Sequence, residues 1–532
     1  MRYAGPSPLP RPEDPTADEH RCMNVPATEV TSPSTSPLTI PRGRAAALAA
    51  ALLGWMFDGL EMGLFPLVAG PALTDLLGTA SKDTRDLWYT VATAGFLVGA
   101  AAGGVLFGWL GDRLGRVRAM MLSVLTYAIF SGLCAASASA WQLAGLRFLS
   151  ALGMGGEWAL GVALVMELWP NQSRGLLAAL IGAAGNLGYL LIAVFGLVLA
   201  QLLDSMPSWL SSIGLPPAWV TALTAHSGWR LLMLLGVVPA LLALFIQLFV
   251  PESIRWQQQR RAGSHSHWAA RDLIGVVVGT LGAAAIVYLQ LGQYGAPVRA
   301  IGTVVALGIV VIGYVYPVRR YLHRATGHAK LAGLDSATVL RRMLLGASLG
   351  GVALIGTWAA VQLAPTWAFL LTGEGAVADA RSWTQIWSAF GAILGSAAGA
   401  LAWKWIGRRL TYALLCVGSL ASVLAFYQLN HAYGPSFLAS VWVVGFWTAA
   451  FYGWLPLYLP ELFPTAVRAT GQGFSYNFGR ILAAVGVLQL GNLLAVFDKS
   501  YPLACSAIAL VYIVGVGLIW LAPETRGQPL PD

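Results

Sequence analysis

Long apolar runs separated by short polar loops set the pattern of this chain. A helix needs about 20 mostly apolar residues to cross the roughly 30 Å hydrocarbon layer of a bilayer. Fourteen segments approach that measure. Six come first: Ala45–Val68, Leu87–Leu110, Ala119–Ala136, Trp141–Leu168, Leu176–Leu203 and Trp229–Val250. Two follow, Leu273–Leu291 and the short Ile301–Val318. Six more close the chain: Met343–Leu371, Ile386–Trp403, Leu410–Tyr427, Phe437–Leu459, Phe474–Phe497 and Leu503–Leu521. The two groups of six are counted here as spans one to twelve, with the central pair unnumbered.

Composition agrees with this pattern. Of 532 residues, 57% are hydrophobic and 10% charged, whereas soluble domains are about a quarter charged. The chain therefore reads as an all-α polytopic membrane protein. Its 61 glycines suit close helix approach, and its 21 tryptophans suit the water interfaces. With the N-terminus placed in the cytoplasm, 24 of the 32 Lys and Arg fall on the cytoplasmic side. Six fall opposite (Lys82, Arg85, Arg230, Arg299, Arg381 and Lys499), and Arg147 and Arg480 lie within spans. This bias puts both termini in the cytoplasm of a multi-pass protein of the cell membrane. It also accounts for the net charge of +9 without a nucleic-acid partner. The four cysteines show no zinc or disulfide spacing. His265 and His267 read as a polar loop rather than a metal site.

The expected organisation follows. Residues 1–43, rich in Pro, Ser and Thr and without a signal peptide, form a disordered cytoplasmic tail. Residues 44–257 form a first six-helix half, 258–340 a central segment with the extra pair, 341–522 a second six-helix half, and 523–532 a C-terminal tail.

The halves repeat. "GDRLGRVRAMML" follows the second span and "KWIGRRLTYALL" the eighth. "ELWPNQSRG" follows the fourth and "ELFPTAVRATG" the tenth. "PESIRW" closes the first half and "PETRG" the second. Parallel repeats of six helices are one transporter architecture. On these motifs the chain resembles the major facilitator superfamily. "GGEW" and "GFSYN" are similar to metabolite:proton and sialate:proton symporters, and "PESIRW" and "PETRG" to sugar porters. "GQGFSYNFGRI" is also similar to aromatic-acid:proton symporters. Most members have twelve helices; fourteen resembles the layout of sialate symporters. Asp112 has Lys404 at its counterpart, so the second-half loop departs from the pattern.

The resemblance implies a cytoplasmic gate. Asp112, Arg113 and Arg116, with Gly108 and Gly115 for close packing and a tight turn, sit at one helix end; Glu167 and Arg174 sit at the neighbouring ends. Arg116 with Glu167, and Arg408 or Arg409 with Glu461 near Arg468, are the expected pairs that hold the halves together. Their alternative role is as positive-inside anchors.

Asp58 and Glu61 stand mid-span, three residues apart and on one helical face. A charge there costs about 2.5–3.5 kcal/mol on insertion scales, so both are candidate proton sites. Sugar porters place an acid on the first helix near an arginine on the fourth, and Asp58 and Arg147 match those positions. Asp58 is the favoured coupling acid, with Glu61 and Glu157 as alternatives. Arg480 is either half of a structural ion pair or a clamp for an anionic solute. Asn186, Trp358, Gln362, Tyr476 and Asn477 are the polar and aromatic candidates for a substrate site.

The expected function is secondary active transport: a monomer importing a small organic solute with a proton and no other cofactor. A carboxylate or acidic sugar is favoured over a neutral sugar, cation or drug-like solute, because Val361 precedes Gln362 where sugar porters carry two glutamines. No GxxxxGK[ST] loop points to ATP, and no HExxH motif points to a membrane enzyme. A transporter-like sensor would carry a larger folded cytoplasmic extension.

Overall fold

The computed structural model describes residues 1, 42–168, 174–252, 270–292, 294–326, 335–372, 377–464, 467–526, 528 and 531. The expected N-terminal tail, but for its ends, and His265 and His267 lie outside these residues, as do the side chains of Asp112, Glu167 and Arg174.

All the regular structure described is helical. The first half holds α1 (Arg42–Leu77), α2 (Lys82–Leu114), α3 (Arg116–Leu133), α4 (Ala140–Leu168), α5 (Arg174–Leu202), α6 (Met206–Ser212), α7 (Pro217–Leu234) and α8 (Pro239–Phe249). The central pair is α9 (Leu273–Leu291) and α10 (Ala296–Thr326). The second half holds α11 (Ser336–Ala359), α12 (Ala364–Thr372), α13 (Val377–Ile406), α14 (Arg408–Leu429), α15 (Pro435–Tyr458), α16 (Arg468–Val496), α17 (Tyr501–Ala509) and α18 (Val511–Leu518). Among the described residues 13 segments are long and apolar enough to cross a membrane. With the 29-residue α4 the total reaches the fourteen expected.

The differences from the expected spans lie in breaks and ends. α1 runs on to Leu77 through Pro66 and Pro71, and α10 through Pro317 to Thr326. A helix need not be apolar once it has left the hydrocarbon, so hydropathy ends it too early. The sixth span is preceded by α6 and the first turns of α7, which bends at Ala225–Gly228, where His226, Ser227 and Gly228 have φ of 49°, 60° and 63°. The seventh span is interrupted at Ala360 (φ −126°, ψ −59°) before a 3₁₀ turn, Val361–Leu363. The Ala360 carbonyl accepts from the Leu363 N–H at 3.2 Å and from the Tyr427 hydroxyl at 2.7 Å. This repair lets backbone break inside a membrane span.

The halves meet twice in the same way: α2 packs on α16, and α5 on α13. Because α2 corresponds to α13 and α5 to α16, these are one contact related by the internal repeat. Within each half, bare α-carbons let helices touch. A Cβ at Gly103 would stand 1.8 Å from the Leu152 carbonyl oxygen, and one at Gly395 only 1.9 Å from that of Phe446. Such small-residue seams are the usual means of helix association in lipid.

Candidate functional site

α1, α4 and α5 from one half and α11, α13, α15 and α16 from the other surround a cavity of about 110 Å³; one water needs roughly 10–15 Å³ on such a measure. Aromatic rings form much of its wall. Trp158 of α4 stacks on Tyr476 of α16, with centroids 3.9 Å apart and planes 9° apart, so the two halves touch there ring to ring. Trp55, Trp358 and Tyr452 also line it. Polar groups are few and held. The Asn186 amide donates to Ser396 at 2.9 Å, and the Tyr189 hydroxyl donates to Gln362 at 3.1 Å. The break at Ala360 leaves Trp358 and Gln362 both facing the cavity.

Two charged residues complete the lining, Asp58 and Arg480, near enough to interact electrostatically. They come from opposite halves. The Arg480 guanidinium lies 5.0 Å from the Tyr476 ring centre. Asp58 Oδ1 and Arg480 Nη1 have no hydrogen-bond partner. Arg147 does not pair with Asp58, as the sequence suggested. Its guanidinium donates to Glu61 at 3.4 Å and packs over the rings of Phe65 (4.1 Å) and Phe96 (4.7 Å). Ser131 and Ser150 donate to the same carboxylate at 2.5 and 3.5 Å. Glu61 is thus satisfied inside the first half. Glu157 is buried, 1% exposed, and neither of its oxygens is bonded.

The family model described as "Sugar (and other) transporter" matches residues 46–276. Three curated relatives are similar over most of their length. A putative metabolite transport protein of Haemophilus influenzae is 25% identical, covering 91% of this chain and 97% of its own. A probable 4-methylmuconolactone transporter of Cupriavidus pinatubonensis is 27% identical over 89% of each. A cis,cis-muconate transport protein of Acinetobacter baylyi is 26% identical over 75% of this chain and 76% of its own. Among solved structures, a proton:xylose symporter of the major facilitator superfamily superposes with a TM-score of 0.63 at 19% identity, over 92% of this chain and 98% of its own. The chain is similar to transporters of the major facilitator superfamily in sequence and in fold. It is a multi-pass membrane protein by the length and composition of its helices.

The Arg-rich loops are tied by carboxylates that the sequence did not single out. Gly115 and Gly407, with φ of 107° and 86°, turn the chain into α3 and α14, a region that only glycine enters freely. Glu252 of the first closing motif accepts from the Val117 N–H at 3.2 Å. Glu524 of the second accepts from the N–H groups of Arg408 and Arg409, both at 3.0 Å. Each closing motif therefore caps a helix N-terminus of its own half. Glu524 lies outside the spans. Burial alone raises its pKa, but the N–H bonds from Arg409, Arg408, Arg526 and Thr525 outweigh burial and hold the carboxyl below its usual value.

Arg408 does meet Glu461, with Nε donating at 2.8 Å and the second nitrogen pairing alongside. Both residues belong to the second half, so this pair braces one half rather than latching two. Arg409 donates to the Ala522 carbonyl, and Arg468 to those of Pro460 and Phe463. Arg113 stacks on Trp109 at 4.6 Å. Arg116 lies against Gly111. Gly108 has nothing within 4 Å of a Cβ built on it, so close packing does not explain it.

Asn477 leaves the substrate set. Its side chain packs on Gly104 of α2 and donates to the Gly473 carbonyl at 2.9 Å. Trp55, Trp158 and Tyr452 are cavity residues that sequence reasoning missed, hidden among tryptophans and tyrosines suited to the interfaces. On the face opposite the Arg-rich loops, the halves are joined by Lys499 and Asp83, 2.7 Å apart, and by the Gln385 amide donating to the carbonyls of Gly63 (3.3 Å) and Tyr189 (3.0 Å).

Proposed function

We propose that this protein is a proton-coupled symporter of the cell membrane, with both termini cytoplasmic, that imports organic carboxylates. The observation that carries this reading is the Asp58–Arg480 couple, each with an unbonded polar atom, in an aromatic-walled cavity. A guanidinium beside flat rings fits a planar carboxylate: the fork binds the anion and the rings cover the remainder. A solute carboxylate on Arg480 brings negative charge beside Asp58. Two carboxylates near one guanidinium resist sharing it, so the solute enters most readily when Asp58 is protonated. By linkage, bound solute holds the proton and bound proton favours the solute. On the inward side the loss of one releases the other. The names of two relatives, a muconate and a methylmuconolactone transporter, support organic acids as the class.

The test is uptake into proteoliposomes of labelled benzoate, nicotinate, cis,cis-muconate, xylose and choline, with and without an inwardly directed proton gradient. Accumulation of a carboxylate only under the gradient is expected. Gradient-driven accumulation of xylose or choline alone replaces the carboxylate by a neutral or cationic solute. Equilibration without accumulation makes the protein facilitative.

A further inference from the structure

Asp58 is one of three acids in this region, and the other two differ from it. Glu61 is a fixed partner of Arg147, with two serine hydroxyls completing its bonds. Glu157 has none of these. It is on α4, beside the cavity residue Trp158, but it does not line the cavity. It is 1% exposed, and both carboxylate oxygens are without a partner. Its Oε1 is pressed against the bare α-carbon of Gly54, one helical turn from Asp58: a Cβ at position 54 would stand 1.4 Å from it. The ionisable groups that act on it are Asp58 of α1 and Tyr127 of α3, whose hydroxyl approaches without completing a hydrogen bond. No cation compensates it among the described residues. Arg147 on its own helix is held by Glu61, and Arg480 of α16 acts on Asp58.

An ionised carboxylate in such a place costs several kcal/mol with nothing to offset it, whereas a neutral carboxyl costs far less. From this geometry we infer that Glu157 is a second proton-binding residue, so that two protons accompany each solute. The inference rests on the proton-coupled reading above. The Glu157 carboxylate gains an O–H bond while water from the outer side reaches α4. It keeps the proton while sealed against Gly54, and gives it to water when the rearranged halves admit water from the other side. Asp58 binds the proton that the solute senses. Glu157 binds one that closure around bound solute requires, because the loaded helices seal over it only when it is neutral, whereas the empty return runs with its carboxylate in water.

Two protons have a thermodynamic signature. With the membrane potential clamped at zero, each coupled proton multiplies the accumulation limit about tenfold per unit of pH gradient. The experiment measures that limit at several gradients, using whichever of benzoate, nicotinate or cis,cis-muconate the native protein accumulates. The native slope should be about two decades per pH unit, and in E157Q about one, with counterflow preserved, because glutamine mimics the neutral carboxyl. The thermal midpoint of E157Q in detergent should match the native value. A native slope of one leaves proton coupling intact and overturns the second proton. So does an unchanged slope in E157Q, or a folded E157Q that fails in counterflow. A native slope of zero, or no accumulation of any of the three carboxylates, removes the symport reading itself and this inference with it.

Discussion

Arg147 pairs with Glu61, not with Asp58. The two acids are three residues apart on α1, yet one is locked to α4 by a 3.4 Å contact and the other faces Arg480 across the cavity. One turn of helix thus separates a structural ion pair inside the first half from a charged couple that spans both halves. That division gives the two acids different consequences on mutation.

Glu61→Gln leaves Arg147 1% exposed and uncompensated. Breaking a buried pair from one side costs about 3–5 kcal/mol, so its thermal midpoint in detergent should fall well below that of native protein. Asp58→Asn breaks no bonded pair and should unfold close to the native temperature. Equal midpoints for the two variants would show that Arg147 does not depend on Glu61.

Arg480→Lys and Arg480→Gln should both weaken solute binding. Lysine keeps the charge but loses the planar fork that takes a carboxylate with two parallel bonds. Losing one charge-assisted hydrogen bond is worth about 1.5–3 kcal/mol, roughly a tenfold to hundredfold loss of affinity. Binding of a transported carboxylate, followed by tryptophan fluorescence or calorimetry, is the measurement. Native affinity in the lysine variant would remove bidentate recognition from the site.

Glu524 predicts a pH dependence of stability. Its folded pKa is lowered from 4.5, with burial opposed and outweighed by four backbone N–H bonds. A carboxyl lowered on folding stabilises the protein fully above its unfolded value, and that contribution disappears as pH falls through the lowered one. Below pH 4.5 the native protein should therefore lose stability more steeply than Glu524→Gln. At neutral pH the variant should be less stable by about 1 kcal/mol, the usual worth of a helix N-cap. Parallel melting curves from about pH 7 to about pH 3 decide it; identical acid slopes would remove Glu524 as the titrating cap.

The repeat and the spans were legible because hydropathy reports burial in lipid and is indifferent to detail. Detail was lost where a side chain's direction mattered. Asn477 follows Tyr476 in sequence, but one residue turns a helix by about 100°, so Tyr476 meets the cavity while Asn477 meets Gly104. The i, i+3 spacing put Asp58 and Glu61 on one face without saying which edge of that face meets α4. The break at Ala360 is invisible to hydropathy, although Pro365 just beyond it marks the place. The closing acids Glu252 and Glu524 were visible as motifs, but their work as caps depends on chain returning from more than 100 residues away, which no local pattern encodes.

Asp58→Asn separates coupling from movement. Asparagine keeps the shape of the acid and resembles its neutral form, but it cannot release a proton. A symporter must lose its proton on the inner side before the empty carrier resets, so the variant should not accumulate solute under a pH gradient. Exchange of external for internal solute does not use the empty reset, and the uncharged amide leaves Arg480 free to hold an incoming carboxylate. Counterflow should therefore persist near the native rate while gradient-driven accumulation is abolished. Paired assays on one reconstituted preparation check both, with cis,cis-muconate or another carboxylate that the native protein accumulates. Loss of both activities in a folded variant would assign Asp58 to solute binding rather than to proton release. Native accumulation in Asp58→Asn, with loss in Glu157→Gln, would move the coupling site from α1 to α4.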